Sequence, residues 1–213
     1  MSNEQSAMTN ARSVGAVILA AGQGSRLGGR PKAVLKTSGE SLIERHLRAL
    51  RNAGIRDIVV VTGFYYQQIE PILKAHGVRV VRNPQPSFGQ PTSVRLGMQA
   101  IGESHDAIIM MLSDQPLVDA TDIEQLLNVF RARSGGNAVV PRVHGQRGNP
   151  IVVAGPLMGK MLAQSPTTYC REYLDQHPDE VSYFDCDNEH FVTDIDTLDD
   201  LDALKKRWGI ELE

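Results

Sequence analysis

A glycine-rich turn follows the first apolar segment of the chain and reads Leu19-Ala20-Ala21-Gly22-Gln23-Gly24-Ser25-Arg26-Leu27-Gly28-Gly29-Arg30-Pro31-Lys32. The apolar run at residues 14–19 predicts a buried strand that ends in this turn. Glycines after a strand let backbone N–H groups approach an anion closely, and the three basic residues of the turn add positive charge. The stretch therefore predicts a phosphate site at the carboxyl end of the first strand.

The fingerprint of dinucleotide-binding folds does not fit this turn. That pattern needs a third glycine where Leu27 stands, because helix and strand pack closely there. It also needs an acidic residue at the end of the second strand, where Thr62 and Gly63 stand. A dinucleotide-dependent oxidoreductase is therefore disfavoured, although it stays an alternative.

The P-loop pattern of ATPases fits no better. Counted from Gly24 it reaches Gly29, but Arg30-Pro31 then replaces the required Lys-Ser/Thr pair. What remains is a Gly-x-Gly-x-Arg turn with a lysine eight residues after Gly24. This arrangement suits a triphosphate, with loop amides on the β- and γ-phosphates and with Arg26 and Lys32 neutralising a leaving pyrophosphate.

Apolar segments of strand and helix type alternate along most of the chain. Strands are predicted at residues 14–19, 58–61, 78–81, 107–112, 138–140 and 151–153, with short strands near Val181 and Val192. Helices are predicted at residues 42–50, 69–73, 92–100, 123–130, 157–162 and 168–174, with a last helix ending at Trp208. Alternation of this kind is typical of βαβ units, so we expect a three-layer α/β/α nucleotide-binding fold with a mostly parallel sheet.

Length and composition predict one folded unit. The 213 residues are 41% hydrophobic and 22% charged, as in ordinary globular enzymes. Residues 1–13 are polar and predict a flexible tail, and residues 14–213 predict a single domain with a nucleotide-binding half (14–117) and an acceptor-side half (118–213). Two cysteines, no long apolar run and only 5% aromatic residues predict a cytoplasmic protein that binds neither membranes nor nucleic acid.

Charge is distributed unevenly beneath a net charge of −3. Residues 12–56 contain nine Lys/Arg and two Glu, a net charge of +7. Residues 185–202 contain eight Asp/Glu and no Lys/Arg, a net charge of −8. The two segments either attract each other or form an anion site and a metal site.

Polar residues follow the third and fourth predicted strands. Asn83 follows one strand, and Thr92 or Ser93 is the expected N-cap of the next helix, whose end offers a phosphate site. Asp114 ends the most apolar strand, where open α/β sheets bind ligands. Its carboxylate offers Mg²⁺ a hard oxygen ligand and leaves other positions for phosphate oxygens and water.

A second pair of carboxylates precedes the last helix. Thr197 is the expected N-cap of that helix, and the acids of its first turn suit the helix dipole. Asp194 and Asp196 fall on one side if the segment is extended, and the helix does not explain them. Asp196 is preferred over Asp194 as a second Mg²⁺ ligand.

Residues 19–35 resemble the opening signature of the MobA-like nucleotidyltransferases, Leu-Ala-Gly/Ala-Gly-x-Gly-x-Arg-x-Gly followed by a lysine. Three later motifs match in order: Asn83 with Gly-x-x-x-Ser-x-x-x-Gly at residues 89–97, Ser-Asp-x-Pro at 113–116, and Asp-Ile-Asp-Thr at 194–197, where Leu198 replaces the usual proline. The resemblance implies catalytic roles for Arg26, Lys32 and Asp114, and Mg²⁺ ligands at Asp114 and Asp196. It implies nucleotide contacts at Leu19, Ala20, Ala21, Gly22, Gly24, Ser25, Arg26, Lys32, Asn83, Ser93 and Asp114.

The family transfers a nucleoside monophosphate from an NTP and releases pyrophosphate. Leu19-Ala20-Ala21-Gly22 is similar to the cytidylyltransferases of the MocA type, which implies CTP, a molybdopterin-type cofactor as acceptor, and a molybdoenzyme as recipient. Residues 145–150 resemble the element that begins the acceptor side, and Arg142, His144 and Arg147 are candidates for binding the acceptor phosphate.

Two further alternatives stay open beside the oxidoreductase. The same catalyst would serve a sugar phosphate, a polyol phosphate or another phosphorylated acceptor. The chain would otherwise be a nucleotide or cofactor carrier without catalytic activity, and Asp114→Asn would then leave its function intact.

Overall fold

The computed structural model describes residues 13–164 and 170–213. The predicted flexible tail lies outside these residues except for Ser13, as do residues 168 and 169 of one predicted helix. Ser13 pairs with the start of a strand, because its N–H donates to Asp106 Oδ2 at 2.8 Å and its carbonyl accepts from the N–H of Asp106 at 3.0 Å. The folded unit therefore includes Ser13.

Among the described residues, eight strands form the main sheet, and two short strands form a separate hairpin. In chain order the strands are β1 (Val14–Ala20), β2 (Lys36–Thr37), β3 (Glu40–Ser41), β4 (Asp57–Thr62), β5 (Arg79–Arg82), β6 (Ala107–Leu112), β7 (Ala138–Val143), β8 (Gln146–Arg147), β9 (Ile151–Val153) and β10 (Val181–Cys186). The main sheet has the order β10-β7-β9-β6-β1-β4-β5, with β8 paired to β7, and β2 pairs with β3.

The prediction of a mostly parallel sheet is confirmed. Strands β5, β4, β1 and β6 run parallel to one another, and β10 runs parallel to β7. Strand β9 is antiparallel to both β6 and β7. The short segment between β7 and β9 cannot carry the crossover that a parallel pair requires, and this explains the reversal.

In the part of the chain that the structure describes, seven α-helices cover both faces of the sheet, which makes three layers. They are α1 (Leu42–Asn52), α2 (Tyr66–Ala75), α3 (Gln90–Ile101), α4 (Ala120–Ala132), α5 (Gly155–Leu162), α6 (Cys170–Gln176) and α7 (Leu198–Trp208). The central strands are buried on both sides, as Val17, Ile18 and Ile108 show with no exposed surface. Within the described residues, no helix combines the length and the apolarity needed to cross a membrane.

A second, smaller apolar cluster connects the glycine-rich turn to the C-terminal part of the chain. It contains Leu27, Leu35, Leu42, Leu117, Ile195, Leu204 and Leu212. Leu27 and Ile195 are both completely buried in it. This cluster brings residues 24–32 and residues 194–196 together, although more than 160 positions separate them in sequence.

Two local predictions are wrong. The strand expected near Val192 is a 3-10 turn, Glu189–Val192, which begins where the Asn188 side chain accepts the N–H of His190. Neither Thr92 nor Ser93 is the N-cap of α3, because the helix begins earlier and Gly89 occupies that position. The prediction that Thr197 caps α7 is confirmed by a capping box with Asp200.

Candidate functional site

A cavity of about 400 Å³ opens at the carboxyl ends of β1, β4 and β6. It is lined by every predicted nucleotide-binding residue except Asn83, and Asp196 lines it as well. Residues that were not predicted also line it, among them Phe64, Tyr65, Pro86 and Ser87. The parallel strands β4, β1 and β6 end at one edge of the sheet, and this arrangement brings the sequence motifs together.

The glycine-rich turn has a compact backbone that only glycine permits at one position. Gly24 has a φ of +59°, and a Cβ added there would lie 2.3 Å from the carbonyl oxygen of Arg30. The Gly24 carbonyl accepts the N–H groups of Leu27 and Gly29, each at 3.0 Å. The turn is therefore folded back on itself beside the cavity.

Tyr65 holds both ends of this turn, a contact that the sequence motifs did not reveal. Its hydroxyl lies 2.7 Å from the carbonyl oxygen of Gln23 and 2.6 Å from that of Gly29. One O–H hydrogen serves the two acceptors, so Tyr65 fixes the separation of two points in the loop. The only signal in the sequence was an aromatic residue shortly after the second predicted strand.

Tyr65→Phe removes this hydroxyl while it retains the ring. We expect the KM for the nucleoside triphosphate predicted from the sequence to rise about fivefold to tenfold with a small change in kcat, since one neutral hydrogen bond contributes ~1 kcal/mol and the predicted catalytic side chains are untouched. Steady-state kinetics with varied NTP measures this. The variant Tyr66→Phe is the control, and an unchanged KM in Tyr65→Phe would contradict the role of the hydroxyl.

Four charged side chains form a linked group at the cavity wall. Lys32 Nζ lies 3.0 Å from Asp114 Oδ2 and 2.5 Å from Asp196 Oδ1. Arg26 Nη2 lies 2.6 Å from Asp196 Oδ2. The lysine side chain is only 16% exposed, whereas that of Arg26 is 69% exposed. We call Arg26, Lys32, Asp114 and Asp196 the charge cluster.

The protonation states in the charge cluster follow from these contacts. Burial by itself would lower the pKa of Lys32, but the charge of Asp114 and the hydrogen bonds to both carboxylates outweigh it and raise that pKa. The hydrogen bond from Lys32 lowers the pKa of Asp196, with help from the charge of Arg26. Lys32 is therefore a cation and Asp196 an anion at neutral pH.

Asp194 and Asp196 do not line the same cavity. Ile195 is completely buried between them, and its N–H donates to the Asp114 carbonyl at 3.0 Å. Asp196 lines the first cavity with Lys32, whereas Asp194 lines a second one. Partial burial and the charges of Asp114 and Asp196 raise the pKa of Asp194. The expectation of one shared side for the pair does not describe this segment.

The carboxylates of the charge cluster are suited to a divalent cation. Asp114 Oδ1 is buried and has no hydrogen-bond partner among the described residues, and its Oδ2 shares a cation, Lys32, with Asp196. Within residues 13–164 and 170–213, no group of three or more His, Cys, Asp or Glu side chains has the arrangement of a metal site. A metal ion held by two carboxylates would complete its coordination with phosphate oxygens and water, as Mg²⁺ commonly does.

Asn83 is placed behind the cavity wall and not on it. The side chain is buried, with Nδ2 donating to Thr92 Oγ1 at 2.8 Å and to Ser93 Oγ at 2.9 Å, and Oδ1 accepting the Gln85 N–H at 2.9 Å. Both amide hydrogens are therefore used within the protein. Asn83 orients Ser93, which does line the cavity.

Gln115 and His46 support Asp114 from the interior, and sequence reasoning missed both. Gln115 Nε2 donates to the carbonyl oxygens of Asn149 at 3.0 Å and Phe191 at 3.1 Å. The backbone carbonyl oxygen of Gln115 accepts a hydrogen bond from His46 Nε2 at 2.8 Å. Burial lowers the pKa of His46, so it is neutral in this position. These bonds connect the end of β6 to the segment between β8 and β9 and to the 3-10 turn that follows β10.

A second cavity, of about 330 Å³, adjoins the first one and shares Leu19, Gln90 and Leu112 with it. Its walls combine apolar side chains of β6, β7, β9 and α6 with a few polar groups, including Arg147, Asn149 and Asp194. Among the basic residues predicted near an acceptor, only Arg147 lines this cavity within the described residues.

The three predicted acceptor-side basic residues already have acidic neighbours. Arg147 contacts Asp175 and the hydroxyl of Tyr183. Arg142 forms two hydrogen bonds to Asp185, at 2.5 and 2.7 Å. His144 lies 3.9 Å from Asp187 and is largely exposed. The predicted contacts of Arg142 and His144 with an acceptor are therefore not supported by their positions.

The chain is similar to known proteins over most of its length. Nicotine blue oxidoreductase of Paenarthrobacter nicotinovorans is 31% identical over 191 residues, which cover 87% of this chain and 93% of that protein. Molybdenum cofactor cytidylyltransferase of Escherichia coli is 26% identical over 196 residues, or 90% and 95% of the two chains.

Solved structures share the fold. A crystal structure from Mycobacterium tuberculosis superposes with a TM-score of 0.76 at 22% identity, covering 92% of this chain and 99% of the other. A manganese complex from the same organism superposes with a TM-score of 0.72 at 21% identity and the same coverage. Residues 16–181 match the MobA-like NTP transferase domain. The chain therefore belongs to the MobA-like NTP transferase family.

Proposed function

We propose that this protein is a cytidylyltransferase that moves CMP from CTP to the phosphate of a molybdopterin-type cofactor and releases pyrophosphate. The observation that carries the proposal is the charge cluster, because Lys32, Asp114 and Asp196 meet beside the glycine-rich turn in one cavity. A second cavity adjoins the first and offers room for an acceptor. The nucleotide is assigned to residues 14–117 and the acceptor to residues 118–213, with Asp196 reaching across from the second half.

The reaction requires positioning and charge neutralisation. The acceptor phosphate oxygen attacks the α-phosphorus of the NTP in line, a P–O bond forms, and the bond to pyrophosphate breaks. No side-chain base is needed, because the attacking phosphate oxygen is already ionised. N–H groups of the glycine-rich turn bind the β- and γ-phosphates, and Arg26 and Lys32 neutralise the charge that develops on the leaving group. Asn83 holds Ser93 toward the nucleotide without touching it.

Asp114 and Asp196 are the proposed ligands of Mg²⁺. When bound, the ion would neutralise phosphate charge that the two basic residues leave unbalanced. The partnerless oxygen of Asp114 supports this assignment. The manganese complex of the Mycobacterium tuberculosis protein with the same fold supports a divalent cation but names no ligands.

The choice of CTP and of the acceptor rests on two observations. Ala21 gives the Leu-Ala-Ala-Gly form of the turn, and the Ala21 side chain lies so close to Gly63 that a Cβ added to Gly63 would be 2.8 Å from it. Residue 21 therefore helps to set the distance between the turn and the end of β4. The Escherichia coli relative, aligned over 90% of this chain, is named for cytidylyl transfer to molybdenum cofactor. A molybdoenzyme is then the proposed recipient of the product.

An oxidoreductase is the second candidate, because the relative with 31% identity is named for that activity. An oxidoreductase of the dinucleotide-binding type needs an acidic side chain after β4 that binds a ribose hydroxyl, and the structure offers little support for one. Thr62 Oγ1 donates to Glu70 Oε1 at 2.9 Å, and Arg82 forms two hydrogen bonds to the same carboxylate. Glu70 is therefore held by neighbours within the protein.

One set of assays separates these functions. The protein is mixed with Mg²⁺, each of the four NTPs, and a molybdopterin-type cofactor, a sugar phosphate or a polyol phosphate, and pyrophosphate release is measured. Release with CTP and the molybdopterin-type cofactor is expected. Release only with another acceptor would overturn the acceptor, and no release with any pair would overturn the transferase. NADH or NADPH oxidation with a conjugated dye as electron acceptor would instead favour the oxidoreductase.

A further inference from the structure

We propose that the Lys32 ammonium is a built-in counter-ion that keeps the divalent-cation position filled until a nucleoside triphosphate draws the lysine away. Cation and nucleotide would then bind cooperatively, and neither would bind well alone. The inference rests on the proposed function, in which Asp114 and Asp196 hold the metal ion.

The first step is geometric. Lys32 Nζ contacts one oxygen of each carboxylate, at 3.0 Å for Asp114 and 2.5 Å for Asp196. A divalent cation such as Mg²⁺ binds carboxylate oxygens at about 2.1 Å. An ion bridging the same two oxygens would occupy the gap in which Nζ lies. The ammonium group therefore has to leave before a metal ion can bridge these two oxygens, and an ion bound at the partnerless Asp114 Oδ1 would share that carboxylate with the ammonium charge.

The second step is charge balance. Two cations and two anions make up the charge cluster, so its formal charge is zero without ligands. A divalent cation alone would leave a charge of +2 at a site where Lys32 is 16% and Asp114 is 22% exposed, and water screens such groups poorly. A triphosphate alone would meet two carboxylates at the same wall. When both are bound, the cation faces the carboxylates and Lys32 faces the phosphates, so each ligand offsets part of the charge of the other.

The third step is a place for the lysine to go. Lys32 lines the same cavity as Gly22, Gly24 and Ser25, where the triphosphate is proposed to bind. Its flexible four-carbon stem allows Nζ to exchange carboxylate oxygens for phosphate oxygens without a change in the backbone. Arg26 cannot take the same part, because among the described residues it pairs with Asp196 and not with Asp114, and it is mostly exposed.

The test measures Mn²⁺ binding by the EPR signal of the free ion, without acceptor and therefore without turnover, and a titration of the analogue without protein corrects for the Mn²⁺ that the analogue itself chelates. Wild-type protein is titrated with and without a CTP analogue that carries a methylene bridge between the α- and β-phosphates. We expect the analogue to lower the Kd for Mn²⁺ at least tenfold. By linkage, Mn²⁺ should raise the affinity for the analogue by the same factor in calorimetry.

The decisive variant is Lys32→Gln, which removes the charge and retains a polar side chain. Without the analogue, it is expected to bind Mn²⁺ at least fivefold more tightly than the wild type, and the effect of the analogue should shrink. Lys32→Met serves if Lys32→Gln does not fold. Lys36→Gln, at an exposed lysine nearby, is the control and should behave as the wild type.

Different outcomes would overturn the counter-ion role of Lys32 and the proposed metal site. Analogue-dependent Mn²⁺ binding in the wild type, with no tighter binding in either Lys32 variant, would overturn the counter-ion role and leave the metal site standing. If the wild type binds no Mn²⁺ even with the analogue, the proposed metal site fails and the counter-ion role fails with it.

Discussion

Asp114→Asn is expected to reduce pyrophosphate release by about a thousandfold or more while the protein stays folded. A bound metal ion contributes several kcal/mol to stabilising charge on transferring phosphoryl groups, and each ~1.4 kcal/mol changes the rate tenfold. Asparagine has the shape of aspartate but provides a far weaker metal ligand. The substitution leaves the neighbouring carbonyl contact of Asp114 with the Ile195 N–H in place, so we expect a melting temperature close to that of the wild type.

Asp106→Asn is a matched control for this variant. Asp106 immediately precedes β6, Asp114 follows it, and the two aspartates therefore lie at opposite ends of the same strand. Asp106 pairs with Ser13 far from both cavities, so its loss should leave transfer unchanged. If Asp114→Asn retains more than half of the wild-type rate, the metal role is refuted and the carrier without catalytic activity gains support.

Gly22→Ala is expected to weaken NTP binding tenfold to a hundredfold without destabilising the protein. Gly22 lines the first cavity, its φ lies outside the left-handed region, and a Cβ added there meets nothing within 4 Å. The empty space beside Gly22 is where the nucleotide is proposed to lie, so a methyl group would collide with the ligand alone. Overpacking of this kind costs about 1–3 kcal/mol, which corresponds to the stated loss of affinity.

Gly135→Ala separates this effect from any general consequence of replacing a glycine. A Cβ added to Gly135 likewise meets nothing within 4 Å, and its φ is not positive, but this glycine lies in the turn after α4 and outside both cavities. Calorimetry with CTP and thermal unfolding are measured for both variants. Equal CTP affinity in Gly22→Ala and in the wild type would mean that the nucleotide does not pass close to Gly22.

The local pattern of apolar residues was most accurate in predicting the strands that are buried on both faces. Strands β1, β4 and β6 consist almost entirely of apolar residues, since both faces of a central strand are covered, and β6 was predicted with its observed bounds. This pattern could not predict the direction of β9, because three apolar residues are equally compatible with a parallel and an antiparallel strand. The same limit applies to the residues near Val192, where a side-chain contact of Asn188 decides the backbone.

Some residues of the candidate site could be predicted from the sequence and others could not. Gly24, Arg26, Lys32 and Asp114 were predicted because glycine turns, basic residues and strand-end carboxylates carry their chemistry in their side chains or backbone freedom. The holding contacts of Tyr65 and Gln115 were missed, since a hydroxyl or an amide that binds distant backbone carbonyls leaves no mark in its own neighbourhood of the sequence.

The sequence by itself determined an alternation of strands and helices, a glycine-rich turn of the kind expected to bind phosphate, and an excess of acidic residues near residue 196. Only the tertiary structure decided that Asp196, and not Asp194, meets Lys32. The reason is the packing of Leu27 and Ile195 in one apolar cluster, which turns the two aspartates toward different cavities. The burial of two apolar side chains from distant segments thus determined which aspartate pairs with Lys32. The alternation of residues along one segment cannot predict that pairing.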